Sequence, residues 1–410
     1  MGYRIEVRDA NLNRIGMIDT WIQLDLMIRY CQEGTWSLVL EDDVAQTQLL
    51  QPGGGIGVYQ DGVSVPVFSG QIESFQHQWS NDGQTGYGKL VVTGKCDNKL
   101  AYNRLALPDP TQAPDKQWNT TNDTRAVSGP ASQLVWNELN SALGPGATAG
   151  RQIPNLVVPA MPTTGPTITD NLSWDVIGTK LESWINNSTT GYRFVWDANQ
   201  KKIVLSVFAP RDLSKSVRFS NDLGNLQAYV WTETAPTVTR VIVACQGTGN
   251  SRYMYQQIDT DSEAEWGLSI EQFVDRRDLP LKADPVTGQP IKADPTVTDA
   301  AYTSALQAVK DAATQALFAG AKNGQFQITP IDTPQLKFGR DYYVGDIVTV
   351  NVNGVDYSDV ISECLISVAD GGKTVSVTPG VGIQTNGIPV NIYRIVSKMR
   401  AQLRKLEASF

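Results

Sequence analysis

A single histidine, His77, serves all 410 residues of this chain. That scarcity sets aside histidine-ligated zinc and leaves any Ser-His-Asp triad hanging on one side chain. Cysteine is nearly as rare. Cys31, Cys96, Cys245 and Cys364 stand far apart with no CxxC pair. They read as small buried hydrophobes of a chain folded under reducing conditions rather than as disulfides. Long apolar runs are missing too. No stretch of about eighteen apolar residues occurs that could span a membrane. The opening "MGYRIEVRDANLNRIG" lacks the apolar core of a signal peptide, and Glu6 stands where a myristoylation motif wants Ser or Thr. There is no excess of basic charge: 34 Lys and Arg against 42 Asp and Glu give a net charge of −8. This argues against a surface that wraps phosphates and suits a wall that DNA passes without sticking.

What is present is alternation. Hydrophobic content of 41% and charged content of 19% support ordinary globular cores, and the length suggests roughly two to four domains. "YRIEVR" (3–8), "WIQLDLMIRY" (21–30) and "TWSLVLE" (35–41) alternate as half-buried strands do. Residues 55–70 read as a hairpin on Asp61-Gly62. Residues 1–100 are therefore expected to be all-β, a small barrel or sandwich. From 101 to 210 the character changes to an α+β unit. A Pro- and Asp-rich loop (105–130) leads to a helix at 131–143, another at 173–188 with Ser173 as N-cap, and a hairpin at 191–210. Strands return at 217–247. Residues 279–298, with the near repeat "LKADP" and "IKADP", read as an exposed loop, and 298–324 as an alanine-rich helix capped by Thr298 or Asp299.

Two segments share one pattern. Residues 55–94 and 345–380 each start at a glycine, turn at Asp-Gly or Asn-Gly (61–62 and 353–354), turn again at Asp-Gly (82–83 and 370–371), and close on a glycine. Any two β-meanders with such turns would look alike. The sharper reading is a duplicated barrel, so that three copies would present six similar units. The last twenty residues, "NIYRIVSKMRAQLRKLEASF", are different in kind. Ile392, Val396, Met399, Leu403, Leu406 and Phe410 are spaced 4, 3, 4, 3, 4, a heptad seam. Arg394, Lys398, Arg400, Arg404 and Lys405 make the other faces basic. Such a helix either lies on its own domain or meets copies of itself. At this length it needs the protein body to trimerise as well.

Few residues suggest chemistry. "PGGGIG" (52–57) lacks the Lys-Ser/Thr of a P-loop and precedes a strand, so it reads as a turn. "EDD" (41–43) reads as a solvated turn, and "DTDSEAE" (259–265) lacks the glycine and closing glutamate of a calcium loop. His77 has no nucleophile signature nearby. Trp118, Trp136, Trp174, Trp184 and Trp196 could stack on sugars, although Trp136 and Trp184 sit on apolar helix faces where core packing accounts for them. No catalytic, cofactor-binding or metal residue is assigned.

The N-terminal "IQLDLMIRYCQEGTWSLVLEDD…LLQPGGGIGVYQDG…VFSGQIES" resembles the start of siphophage tail-hub proteins, the actinobacteriophage minor tail proteins similar to the hub domain of tail-associated lysins. The late "YYVGDIVTVNVNGVDYSDVISECLISVADGGKTVSVTPGVG" is similar to that family's second tube-type domain. The resemblance covers most of 1–385. It implies a mainly β fold with α+β insertions: a tube-type β-barrel at 1–100, an α+β accessory domain at 101–210, a second tube-type barrel from 211–250 and 325–387, a helix-bearing insertion at 251–324, and a coiled-coil helix at 388–410. It also implies a homotrimeric ring at the virion tail tip, assembled in the host cytoplasm. Such a ring closes the tail tube and meets the distal tail protein, other tip proteins and the tape measure, while genomic DNA passes through its lumen without specific binding. Tail-associated lysins often carry C-terminal peptidase or receptor-binding modules. Here the chain stops after the heptad helix, so cell-wall cleavage is expected of another protein. The alternative is a bacterial-surface hydrolase or carbohydrate-binding module.

Overall fold

The computed structural model describes residues 2–42, 45–81, 86–120, 122–185, 190–352, 354–369 and 372–379. The seam Ile392, Val396, Met399, Leu403, Leu406 and Phe410 lies outside the described residues. The chain divides into two compact units, one of Met1–Tyr229 with Gln327–Gly382, the other containing Val230–Phe326.

The first unit opens with seven strands: β1 (Tyr3–Arg8), β2 (Arg14–Ile18), β3 (Gln23–Arg29), β4 (Thr35–Glu41), β5 (Gly55–Gln60), β6 (Phe68–Asn81) and β7 (Gly86–Cys96). β3 and β4 alternate as strands with one buried face do, whereas β5 is buried on both faces. β3 turns Leu24, Leu26 and Ile28 inward, and β4 does the same with Trp36, Leu38 and Leu40. Gly62 takes a positive φ of 81° between β5 and β6, as the Asp-Gly turn requires.

An α+β insert follows: α1 (Lys99–Tyr102), β8 (Arg125–Pro130), α2 (Ala131–Leu143), β9 (Leu156–Val157), β10 (Thr167–Leu172), α3 (Ile177–Ile185), β11 (Gly191–Asp197) and β12 (Lys202–Phe208). The apolar faces of α2 and α3 meet β11 and β12 in one core that includes Leu134, Leu139, Leu181, Trp184, Phe194 and Trp196. α3 starts four residues later than the sequence suggests. Ser173 does not cap it. Its hydroxyl donates to the carbonyl of Asp123, and Trp174 takes a left-handed φ of 59°, which breaks any helix there.

After β13 (Arg218–Phe219), β14 (Leu226–Thr234) carries the chain out of the first unit. The second unit then builds β15 (Arg240–Ala244), β16 (Met254–Ile258), α4 (Thr260–Trp266), β17 (Glu271–Asp275), β18 (Leu281–Ala283), β19 (Pro290–Lys292) and α5 (Asp299–Ala319). α5 packs Val309 and Ala313 with Val241 and Val243 of β15, the middle strand of a three-stranded sheet. Thr298 caps α5 by accepting the Ala301 N–H at 3.2 Å. The expected loop at 279–298 is instead a short hairpin. Its facing strands are "LKA" and "PIK", with Leu281 opposite Lys292 and Ala283 opposite Pro290.

β20 (Asn323–Pro330) brings the chain back, and β21 (Ile347–Val352), β22 (Val355–Ala369) and β23 (Gly372–Pro379) complete the first unit. Among the described residues, thirteen strands belong to one sheet, in the order β14-β20-β23-β22-β3-β4-β7-β6-β5-β1-β2, with β21 beside β22 and β13 beside β21. The protein is thus mainly β with few helices, as expected, but no closed barrel is present among the described residues. The early and late strand blocks are joined where β3 and β22 pair antiparallel from Gln23–Ala369 to Arg29–Glu363. Arg29 Nε donates to Glu363 at 2.8 Å and Ser367 donates to Asp25 at 2.6 Å across this seam. No helix among the described residues is long and apolar enough to cross a membrane.

One carboxyl in this sheet opposes its stability. Asp359 of β22 accepts the Val360 N–H at 2.7 Å through Oδ1, while Oδ2 is sealed from solvent and has no hydrogen-bond partner among the described residues. Burial pushes this carboxyl up to about 6 from an ordinary value of 3.8. The folded state therefore holds the proton more tightly than the unfolded state. The cost is full above about pH 6 and fades as pH falls towards the unfolded value. Asp359→Asn should stabilise the protein by about 1–3 kcal/mol near pH 8, with the gain gone below about pH 4. Urea denaturation at the two pH values checks this; an equal gain at both would rule out ionisation as the cause.

Candidate functional site

The residues that the sequence flagged for chemistry do not converge. Asp42 follows β4 and meets His77 of β6, with Nδ1 2.9 and 3.0 Å from the two carboxylate oxygens, on an exposed surface. Asp43 lies outside the described residues. "PGGGIG" is a turn leading into β5, with Gly53 at a φ of 79°. In "DTDSEAE", Asp259 caps α4 by accepting the Ser262 N–H at 3.0 Å. Glu263 takes both Arg240 donors, Nε at 2.6 Å and Nη2 at 2.9 Å, which hold its carboxyl down at about 2. Among the described residues, no three His, Cys, Asp or Glu side chains gather as metal ligands would. Trp184 and Trp196 are core residues, and Trp136 donates its indole N–H to the Pro159 carbonyl. Trp118 and Trp174 are exposed.

A site the sequence did not announce lies where the insert meets the first sheet. Among the described residues, β11 pairs with β12 on one side only. On its other side, every second amide finds a side-chain acceptor from the first block. Tyr192 N–H meets Cys31 Sγ at 3.2 Å, Phe194 N–H meets Asn98 Oδ1 at 3.0 Å, and Trp196 N–H meets Ser69 Oγ at 3.0 Å. The period of two follows from strand geometry, because alternate N–H groups point to the same edge. An edge strand that would otherwise carry unpaired donors is thereby closed.

The last acceptor, Ser69, is itself hydrogen-bonded to a buried ion pair. Arg8 of β1 and Asp97, just past β7, are almost wholly excluded from water. Arg8 Nη2 lies 2.5 Å from Asp97 Oδ1 and Nη1 3.1 Å from Oδ2, a two-pronged contact. Ser69 donates to Asp97 Oδ2 at 2.6 Å while accepting from Trp196. The Arg8 guanidinium stands 5.6 Å from the Trp196 ring centroid, and the indole N–H donates to the Leu12 carbonyl at 3.1 Å. Glycine makes the approach possible. A Cβ on Gly57 would sit 2.8 Å from the Trp196 ring, and one on Gly55 2.6 Å from Arg8 Nε. Tyr343 adds a third point of attachment: Arg193 lies 4.7 Å over its ring, and its hydroxyl donates to the Val67 carbonyl at 2.5 Å. This arrangement fastens the insert to the sheet in one orientation.

A family model described as Siphovirus ReqiPepy6 Gp37-like protein matches residues 4–382. The chain belongs to this family of siphovirus tail proteins. Two solved structures share the fold. The 43 kDa tail protein of prophage MuSo2 from Shewanella oneidensis is 11% identical, with a TM-score of 0.52 covering 94% of this chain and 100% of that one. The tail protein from Neisseria meningitidis MC58 is 13% identical, with a TM-score of 0.51 covering 92% and 96%. None of the curated proteins matches the chain. The tail-protein resemblance read from the residues therefore holds at the level of the Gp37-like family and of a mainly β tail-protein fold.

The ion pair yields a sharp expectation. Removing one partner leaves the other charge buried, so Arg8→Met or Asp97→Asn should each cost about 3–5 kcal/mol of stability. The double variant should cost less than the sum of the two, because it leaves no orphaned charge. A double-mutant cycle by urea denaturation reads this coupling; additive losses would show that the two groups act independently.

Proposed function

We propose that this protein is the structural hub of a siphophage tail tip. Three copies would form a ring that closes the tail tube and organises the tip proteins around it. The observation that carries the reading is the Gp37-like family match over residues 4–382. Three features support it. The early and late strand blocks, alike in their glycine and turn pattern, are bonded through β3 and β22, so one chain offers two meanders to a ring. Three chains would offer six, which fits a three-fold part onto a six-fold tube. The net charge of −8 suits a lumen that genomic DNA crosses without binding. The heptad seam from Ile392 to Phe410 would draw three copies together, with the ring body supplying the rest of the association.

The partners in this reading are two further copies of the chain, the distal tail protein, the other tip proteins and the tape measure. The domain scheme is part of the proposal: tube-type units at 1–100 and at 211–250 with 325–387, accessory units at 101–210 and 251–324, and the helix at 388–410. The protein would act in the virion tail tip after assembly in the host cytoplasm, with no catalytic step of its own.

Light scattering on the full-length protein, beside a truncation ending at Gly387, tests the ring and the seam together. The expected result is a trimer that loosens on truncation, and likewise in Leu403→Asp/Leu406→Asp with the circular dichroism of the body unchanged. A monomer at all concentrations for both proteins would remove self-association from the reading.

A further inference from the structure

The two strand blocks are built on one hairpin, and the match extends to an irregularity. β6 and β7 pair with a bulge between Ile72 and Ser74, and β22 and β23 with a bulge between Ile361 and Glu363. Just before the bulge, β5 meets β6 at Gly55 and Gln71, and β21 meets β22 at Ile347 and Val360. Beyond it, Phe75 lies opposite Val92 and Cys364 opposite Val377. The next strand out repeats as well: Leu38 of β4 lies opposite Val92, and Ile328 of β20 opposite Val377. A bulge at the same register position is more specific than shared Asp-Gly turns, because alternation alone does not require one. On this equivalence β6 corresponds to β22 and β4 to β20. β3, which pairs with β4, then corresponds to β14, which pairs with β20.

One pairing is made for the first block and left open for the second. The outer edge of β3 is taken by β22 along Gln23–Arg29. Its counterpart β14 pairs with β20 alone among the described residues. β6, the counterpart of β22, has no described strand beside Ser74–Trp79 on the edge away from β7. These two open edges stand at opposite ends of the run β14-β20-β23-β22-β3-β4-β7-β6. Neither "SFQHQW" (74–79) nor "LQAYV" (226–230) carries the Pro or Lys that commonly guards a free edge. Large side chains are left in water on both: Trp79 is 71%, Val230 57% and Tyr229 43% exposed. A groove of about 450 Å³ adjoins β14, lined by Leu226, Gln227, Ala228 and Tyr229 with Asn221 and Asn351. Where the pairing is made, the counterparts of Phe75 and His77 are Cys364 and Ile366, buried beside Ile28 and Leu26 of β3. We infer that β14 of one copy pairs antiparallel with the Ser74–Trp79 edge of β6 in the next copy. The seam that β3 and β22 form within a chain is thereby repeated between chains. Such a contact is head-to-tail, the kind that generates a closed ring when the rotation permits. This deepens the ring reading, and rests on it, by assigning the strands at which the copies meet.

Paired cysteines read this contact directly. In the full-length chain, each of Gln76→Cys, His77→Cys and Gln78→Cys is combined with each of Gln227→Cys and Ala228→Cys, so that both strand faces and neighbouring registers are sampled. Facing residues on adjacent strands stand close enough for a disulfide. All five positions are exposed, whereas native Cys31, Cys245 and Cys364 are buried and Cys96 half-buried. The expected result is a covalent trimer on mild oxidation from at least one pair, and none from the matching single cysteines. A second variant, Trp79→Asp/Val230→Asp, should raise the trimer dissociation constant at least roughly tenfold in light scattering, with the circular dichroism unchanged. A trimer that no pair cross-links and that survives the double aspartate would overturn the inference while leaving the ring standing. A monomer at all concentrations would remove the ring, and this seam with it.

Discussion

Arg8 and Asp97 lie in a place where neither could stay alone. Taking each ion out of water costs several kcal/mol, and only the two-pronged contact, the Ser69 hydroxyl and the Trp196 ring offset that cost. The geometry of the pair is therefore demanding. β1 must bring Arg8, the end of β7 must bring Asp97, and β6 must bring Ser69, each within hydrogen-bond reach of the next. Once these are in place, the Ser69 hydroxyl has given its proton to Asp97 and its oxygen is free to accept the amide N–H of Trp196. The orientation of the whole insert follows from that small cluster. A hydrophobic contact of similar area would hold the insert as firmly but would specify its rotation less, because burial is not directional.

The same economy of directional contacts joins the two strand blocks. β3 and β22 are separated by more than three hundred residues of sequence, and their register is set by alternation on both strands. Leu24, Leu26 and Ile28 of β3 face the core, and Cys364 and Ile366 of β22 lie beside Ile28 and Leu26 on the same face. A slip of either strand by one residue would turn its apolar set outward and would also part Arg29 from Glu363 and Asp25 from Ser367. Between those blocks the chain makes two long excursions, the insert and the second unit, without disturbing the sheet. That is the behaviour expected when long-range pairing, rather than chain proximity, defines the fold.

This division explains what was legible in the sequence. Local periodicity gave the helix at Ala131–Leu143 to the residue, the helix at Asp299–Ala319 within the longer span 298–324 and with Thr298 as one of two candidate caps, and the Asp61-Gly62 hairpin, because each is decided within a few residues of itself. It could not give the β3–β22 seam, which depends on two distant strands choosing each other. The hairpin of β18 and β19 was hidden because Asp and Pro after each strand read as loop, and three residues are too few to show alternation. The start of the second insert helix was misplaced by Trp174, since nothing in residue type announces a left-handed tryptophan. The acceptors of β11 were invisible for another reason. Cys31, Ser69 and Asn98 share no motif and meet only in space.

The exposed tryptophans are tied to the same framework by a traceable series of contacts. The ion pair positions Trp196 on β11, and β11 forms one core with α2 and α3. On α2, the buried Glu138 receives both Arg125 donors, at 2.8 and 2.7 Å, and Arg125 begins β8 directly after the loop of Trp118. β8 pairs with β10, and β10 leads straight into Ser173 and Trp174. Each link is a packed or hydrogen-bonded element rather than a free linker. The two indoles are thus presented from an insert whose own pose is fixed by buried charge. That framework accounts for why the chain tolerates a strained residue at 174: the strain is local, and the surrounding hydrogen bonds leave the turn no relaxed alternative that keeps β10 and α3 in place.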